Sequence, residues 1–143
     1  MDGPPGQPPI GRDVAATAKL LDRAFGAALA EHGGTIPAWL VLLALKQQPH
    51  RTQQDVARAV GIGGPTLTHH LDAMEASGLV VRSRGGIDRR AVHVELTEAG
   101  DAMFGRLREA AVAFDARLRD GLSAAEVDQM RALLRRLREN ISD

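Results

Sequence analysis

Residues 64–100 read GPTLTHHLDAMEASGLVVRSRGGIDRRAVHVELTEAG, and a change of hydrophobic period inside this stretch decides the fold. From Pro65 to Ser77, the residues Leu67, Leu71 and Met74 recur at steps of four and three, which places them on one face of a helix. The opposite face carries Pro65, His69, Asp72, Ala73 and Ala76, with Thr66 and Thr68 on its flanks. Gly78 stands where a left-handed C-cap belongs. Beyond it the period shortens. Val80-Val81-Arg82 is β-branched, Gly85-Gly86 reads as a turn, and Ala91 to Leu96 alternates with Val92, Val94 and Leu96 to one side. A helix thus runs into a two-stranded hairpin with a basic tip. Within Leu79–Val94, Arg82, Arg84, Arg89 and Arg90 face only Asp88.

Working upstream, Thr52-Gln53-Gln54-Asp55 reads as a capped helix start leading through Val56, Ala57 and Val60. Gly61-Ile62-Gly63-Gly64 then turns the chain into the Pro65 helix, a helix-turn-helix pattern. Further back, Val14, Ala18, Leu21, Phe25 and Ala28 form a stripe at heptad spacing, ended by Gly33-Gly34. Pro37 opens a helix carrying Trp39, Leu40, Leu42, Leu43 and Leu45, apolar on most sides and expected to be buried; Pro49 stops it. Downstream, Thr97 caps a helix with Met103, Leu107, Ala111, Phe114 and Leu118 on one stripe, ended by Gly121. Ser123-Ala124-Ala125-Glu126 is a capping box, and its helix repeats Val127, Met130, Leu134, Leu137 and Ile141. Narrow seams on the first and last helices are the pattern of helix–helix association, and they favour a homodimer over packing within one chain.

Composition narrows the function classes. The chain has 143 residues, 18 Lys+Arg against 18 Asp+Glu, 44% apolar residues and no Cys. That apolar share supports a core, and the missing thiols exclude disulfides, thiolate metal sites and cysteine nucleophiles. Aromatic residues make up 3%, too few for stacking platforms along single-stranded nucleic acid. The longest apolar run, Ala38–Leu45, is too short for a bilayer, and the proline-rich start is not a signal peptide, so a cytoplasmic protein is expected. No His-Glu-x-x-His, Gly-x-Ser-x-Gly or P-loop lysine is present, so neither an enzyme nor a cofactor is expected. The five His residues, 32, 50, 69, 70 and 93, show no paired metal-ligand spacing, and no metal is expected.

Small and hydroxyl residues plus one imidazole let the Pro65 helix sink into a DNA major groove, where Thr66, Thr68 and His69 reach base edges or phosphates. Asp88, two residues before Arg90, can pair with its guanidinium and hold one rotamer. A prepositioned Arg suits the negative potential of a narrow minor groove. Arg82 and Arg84 are then expected on flanking phosphates, beside Arg89 at the tip.

The stretch Asp88-Arg89-Arg90 through Leu96-Thr97-Glu98-Ala99-Gly100 resembles the wing-to-helix signature of the MarR family: Asp, any residue, Arg, an alternating strand, then Leu-Thr, two residues and Gly. Pro37-Ala38-Trp39, the Thr52-to-Val60 helix, Leu67-Thr68, Leu71 and Gly78-Leu79-Val80 extend the likeness over about residues 12–141. The resemblance implies a mainly α fold with a small β-hairpin wing: a winged helix-turn-helix plus a helical dimerisation domain. It divides the chain into a disordered tail at 1–11, a dimerisation helix at 12–34, a DNA-binding domain at 35–96 and dimerisation helices at 97–143. By it, the protein is a homodimeric regulator, in all expectation a repressor, of a pseudo-palindromic double-stranded operator. Arg90 enters the minor groove and Asp88 orients it. Many family members release DNA when a phenolic or aromatic effector binds, and Phe25, His32, Trp39, His70 and Phe104 are the candidate lining. His69 stands where the family often has Arg, which points to a weaker or pH-sensitive contact. The alternative is a helical dimer that binds a protein or a small molecule without reading DNA sequence.

Overall fold

A computed structural model describes residues 6–49, 51–86 and 90–143. Among these residues the chain runs α1 (Ile10–Ala30), α2 (Ile36–Gln47), β1 (Arg51–Thr52), α3 (Gln53–Val60), α4 (Gly64–Ala76), β2 (Val80–Arg84), β3 (Val92–Leu96), α5 (Glu98–Leu118) and α6 (Ala124–Ile141). The mainly helical winged architecture read from the sequence is the one observed. The strands form one antiparallel sheet in the order β1-β3-β2. In it Val80 faces Leu96, Arg82 faces Val94 and Arg84 faces Val92, while Arg51 joins Val94 from the other side. The third strand, β1, was not legible in the sequence: two residues are too few to show a period.

Local chemistry sets the element ends. Thr35 caps α2 by accepting from the Ala38 N–H, and Ile36-Pro37 opens the helix where a missing donor costs nothing. Thr52 and Asp55 close a capping box on α3, and Gly61 ends that helix in the left-handed region at φ +70°. α1 begins at Ile10, inside the stretch expected as a disordered tail.

The chain divides into two compact units, residues 1–111 and 112–143, with the division inside α5. In the first unit one core joins every layer. Leu29, Val41, Leu42, Val56, Leu67, Leu71, Val94 and Leu107 are fully buried, and Leu45, Met74 and Val80 nearly so. Each such side chain stabilises the fold by about 1.5–3 kcal/mol relative to exposure. α1 contributes Leu29, which lies outside the stripe read from its sequence; Val14, Leu21, Phe25 and Ala28 are half-buried and Ala18 is exposed. The deepest burial on α1 is at its C-terminal end.

Gly100 explains the Leu-Thr-x-x-Gly signature. The Thr97 N–H donates to the Leu79 carbonyl, and the Thr97 hydroxyl donates to the Gly78 carbonyl and caps the Gly100 N–H. The start of α5 thereby lies so close to the α4–β2 turn that a Cβ on Gly100 would overlap the Leu79 carbonyl. Gly78 itself turns at φ +76°.

In the second unit, Ser123 and Glu126 form the expected capping box. No residue of α6 is buried. Val112, Leu118, Leu122, Met130, Leu133 and Leu134 are between 37% and 55% exposed, and Ile141 is 84% exposed. Apolar surface of this extent is of the kind that marks interaction surfaces.

Candidate nucleic-acid interface

α4 presents the two faces that its spacing predicts. Leu67, Leu71 and Met74 anchor it in the core, and Pro65, Thr66, His69, Asp72, Ala73 and Ala76 are exposed. Thr68 is half-buried and held: its hydroxyl donates to the Gly64 carbonyl at 2.9 Å and accepts from Gln53 Nε2 at 2.8 Å. Gln53, the first residue of α3, therefore ties the two helices of the helix-turn-helix together. Sequence reasoning missed it, because its partner lies fifteen residues away and no periodicity links them. Thr66 and His69 stand on the open face, and the His70 ring is half-buried, tilted 59° against the His69 ring at 5.9 Å.

The arginines expected on DNA divide by environment. Arg84 and Arg90 are exposed. Arg82 is turned toward α4: its Nη2 lies 2.5 Å from Asp72 Oδ1 and 3.0 Å from Glu75 Oε1. Its side chain is 18% exposed. The hydrogen bond to Asp72 and then that to Glu75 raise the guanidinium pKa above its ordinary value, against an opposing desolvation. Glu75 is held below the usual carboxylate range, first by the Arg82 side chain and then by the Arg82 backbone N–H. Asp88 and Arg89 lie outside the described residues, so the expected pairing of Asp88 with Arg90 does not enter this geometry.

Of the five residues expected to line an effector site, the structure brings Trp39 and Phe104 together. Their rings stack with centroids 5.5 Å apart and planes 7° from parallel, and the Lys46 ammonium lies 5.5 Å from the Phe104 centroid. Phe25 packs on the same core, while His32 is exposed after α1 and His70 belongs to α4. A groove of about 330 Å³ opens elsewhere, lined by Leu45, Lys46, Pro49, Glu95, Leu96, Thr97, Glu98 and Asp101. None of the five lines it. Three carboxylates and one lysine, itself paired to Asp101 at 2.6 Å, make it a poor seat for an aromatic acid.

Comparison with known proteins agrees with this geometry. The MarR family model matches residues 32–91, from just after α1 to just before β3. A mutant of MarR from E. coli, solved in complex with operator DNA, is 25% identical with a TM-score of 0.83, covering 90% of this chain and 93% of that one. The transcriptional repressor CouR, solved on a 23-mer DNA duplex, is 29% identical at the same TM-score, with 90% and 92% covered. BpsR of Bordetella bronchiseptica, whose DNA binding is regulated by 6-hydroxynicotinic acid, is 26% identical with a TM-score of 0.73, with 87% and 98% covered. Regulators of this kind are not enzymes, in keeping with the missing catalytic motifs. Signature, winged sheet and three-dimensional likeness converge: over residues 32–91 this chain matches the MarR family of transcriptional regulators, and its fold is similar to theirs.

Proposed function

We propose that this protein is a repressor that binds a pseudo-palindromic DNA duplex as a homodimer, with α4 in the major groove and the β2–β3 wing over the adjacent minor groove. The carrying observation is the face of α4 itself. Three apolar anchors fix the helix from below, and its other side offers small residues, Thr66 and His69 to a partner. Thr66 and His69 meet base edges or phosphates, and Thr68, held by Gln53, braces the turn that presents them. Arg84, Arg89 and Arg90 supply the wing's positive charge, with Asp88 orienting Arg90. Two DNA-bound relatives at a TM-score of 0.83 support the assignment.

The dimer supplies the second half-site. Its support is the apolar surface of residues 112–143, where Met130, Leu133 and Leu134 of α6 stand in water. Symmetric helices then meet grooves about 34–36 Å apart. An aromatic acid that binds better to a dimer of the wrong helix spacing releases the operator, and a coupling of about 1–3 kcal/mol suffices. The Trp39–Phe104 stack, a pair of the expected lining residues found together, supports a seat for it there. The site of action is the cytoplasm, on chromosomal DNA.

Selection of bound duplexes from a random pool tests the reading. Enrichment of a palindrome with half-sites one helical turn apart is the expected result. Arg90→Ala weakens binding to the selected site at least tenfold while the dimer stays intact, the expected cost of about 1.4 kcal/mol or more for a lost groove contact. A pool that enriches no sequence at low salt refutes sequence-specific binding and leaves the binding-module alternative.

A further inference from the structure

We propose that Arg82 is a positioning residue: it clamps the base of the wing to the recognition helix and so fixes the angle at which the two meet DNA, instead of contacting a phosphate. This rests on the DNA-binding reading above and names a part of its machinery that the sequence placed differently.

The geometry begins with strand alternation. Val80 and Arg82 share one face of β2, and Val80 is buried while Arg82 is half-buried. Arg82 also faces the buried Val94 across the ladder, so its stem cannot move freely. From there the guanidinium reaches back to α4 in a fork. Nη2 donates to Asp72 Oδ1 and to Glu75 Oε1, and Nε donates to Glu75 Oε1 at 3.3 Å. The Arg82 backbone N–H adds a bond to Glu75 Oε2 at 3.0 Å. Glu75 thus grips both the side chain and the main chain of β2, seven residues on, across the α4–β2 turn. Arg84, two residues along the strand, is exposed and shares none of these bonds.

Charge and shape favour the clamp over a phosphate contact. One guanidinium faces two carboxylates, so the cluster is negative overall and has no spare positive charge for DNA. A planar fork is needed to hold acceptors at Asp72 and Glu75 together, a geometry that Lys cannot copy. Asp72 and Glu75 sit on the helix that enters the groove. Loss of Arg82 would both free the strand and leave two unscreened carboxylates beside the phosphates.

The test compares Arg82→Ala, Arg82→Lys, Glu75→Gln and the double variant Arg82→Ala/Glu75→Gln with the wild type on the selected duplex. Arg82→Ala and Glu75→Gln should each weaken binding by about tenfold, and the double variant should be no worse than either, since both remove one network. Arg82→Lys should fall between. Hydroxyl-radical protection should shift in position over the flanking minor groove, the wing arginines staying on phosphates, and be unchanged over the central major groove. The salt slope should stay at the wild-type value. A slope that drops by about 0.9 in Arg82→Ala would mark a direct phosphate contact and overturn the clamp. Hydrogen exchange of the DNA-free proteins provides an independent arm: residues 80–86 should exchange faster in Arg82→Ala and Glu75→Gln, with α6 unchanged. Equal exchange there overturns the proposal. A wild type that shifts no duplex refutes the DNA-binding reading alone, and the exchange arm still decides whether the clamp exists.

Discussion

Replacing Gly100 by Ala should destabilise this protein although the position is helical, and Gly105 in the same helix supplies the control. Alanine is favoured over glycine in a helix interior by about 1 kcal/mol. At Gly100 the new methyl would overlap the Leu79 carbonyl and also approach Leu96 Cδ2 to 3.2 Å. The carbonyl belongs to backbone that already accepts the Thr97 N–H at 3.1 Å, so α5 must back away and strain or break that bond. Overpacking of this kind costs about 1–3 kcal/mol, and the lost hydrogen bond about 1 more. Subtracting the propensity gain leaves about 1–3 kcal/mol of net loss, or about 4–10 °C in Tm at fixed protein concentration. At Gly105 a Cβ meets nothing within 4 Å. Gly105→Ala should therefore gain about 0.5–1 kcal/mol and melt a few degrees higher. Circular dichroism melts of the three proteins, checked by calorimetry, decide the matter. A Gly100→Ala protein that melts at or above the wild type refutes the close approach of α5 to the α4–β2 turn.

Other outcomes follow from the same geometry. Leu133→Glu puts a charge in the exposed apolar face of α6, and sedimentation should show monomers at concentrations where the wild type is dimeric; a persistent dimer places the interface elsewhere. Asp55 and Glu126 are both held below their ordinary values, Asp55 first by the Thr52 hydroxyl and Glu126 first by the Ser123 N–H. The unfolded chain then binds more protons than the folded one at the acid end. Their contribution is complete above the unfolded values near 4 and is lost as pH falls through the folded ones. The urea midpoint should drop below about pH 4.5, and Asp55→Asn together with Glu126→Gln should flatten that drop. Trp39 is the chain's single tryptophan, so titration with 6-hydroxynicotinic acid should quench its emission if the Trp39–Phe104 stack is the effector seat; a flat titration with operator release intact moves the seat elsewhere.

Much of the local architecture was legible because its causes are local. The Thr52–Asp55 and Ser123–Glu126 boxes, the Pro at the start of α2, the turn that begins at Gly61 and the left-handed Gly78 each depend on residues within one turn of chain. The period switch at Gly78 needs no more than nearest neighbours to show itself. The candidate site was legible to the same depth. Leu67, Leu71 and Met74 point inward as their spacing requires, and this leaves Thr66 and His69 outside.

The linear order of residues was sufficient wherever a side chain answers to its own helix or strand, because caps, turns and hydrophobic periods act over three or four positions. It was silent where a group's partner is distant along the chain and near in space. Strand β1 exists because β3 offers it a ladder; Thr68 is braced because Gln53 reaches it; Gly100 is obligatory because the Leu79 carbonyl lies against it. Arg82 shows the difference most plainly. As a basic residue in a basic segment it looked like a phosphate ligand, and folding instead places two carboxylates of α4 within reach of its fork. Coulomb attraction falls with distance, so the partners that folding brings near decide where that charge is spent.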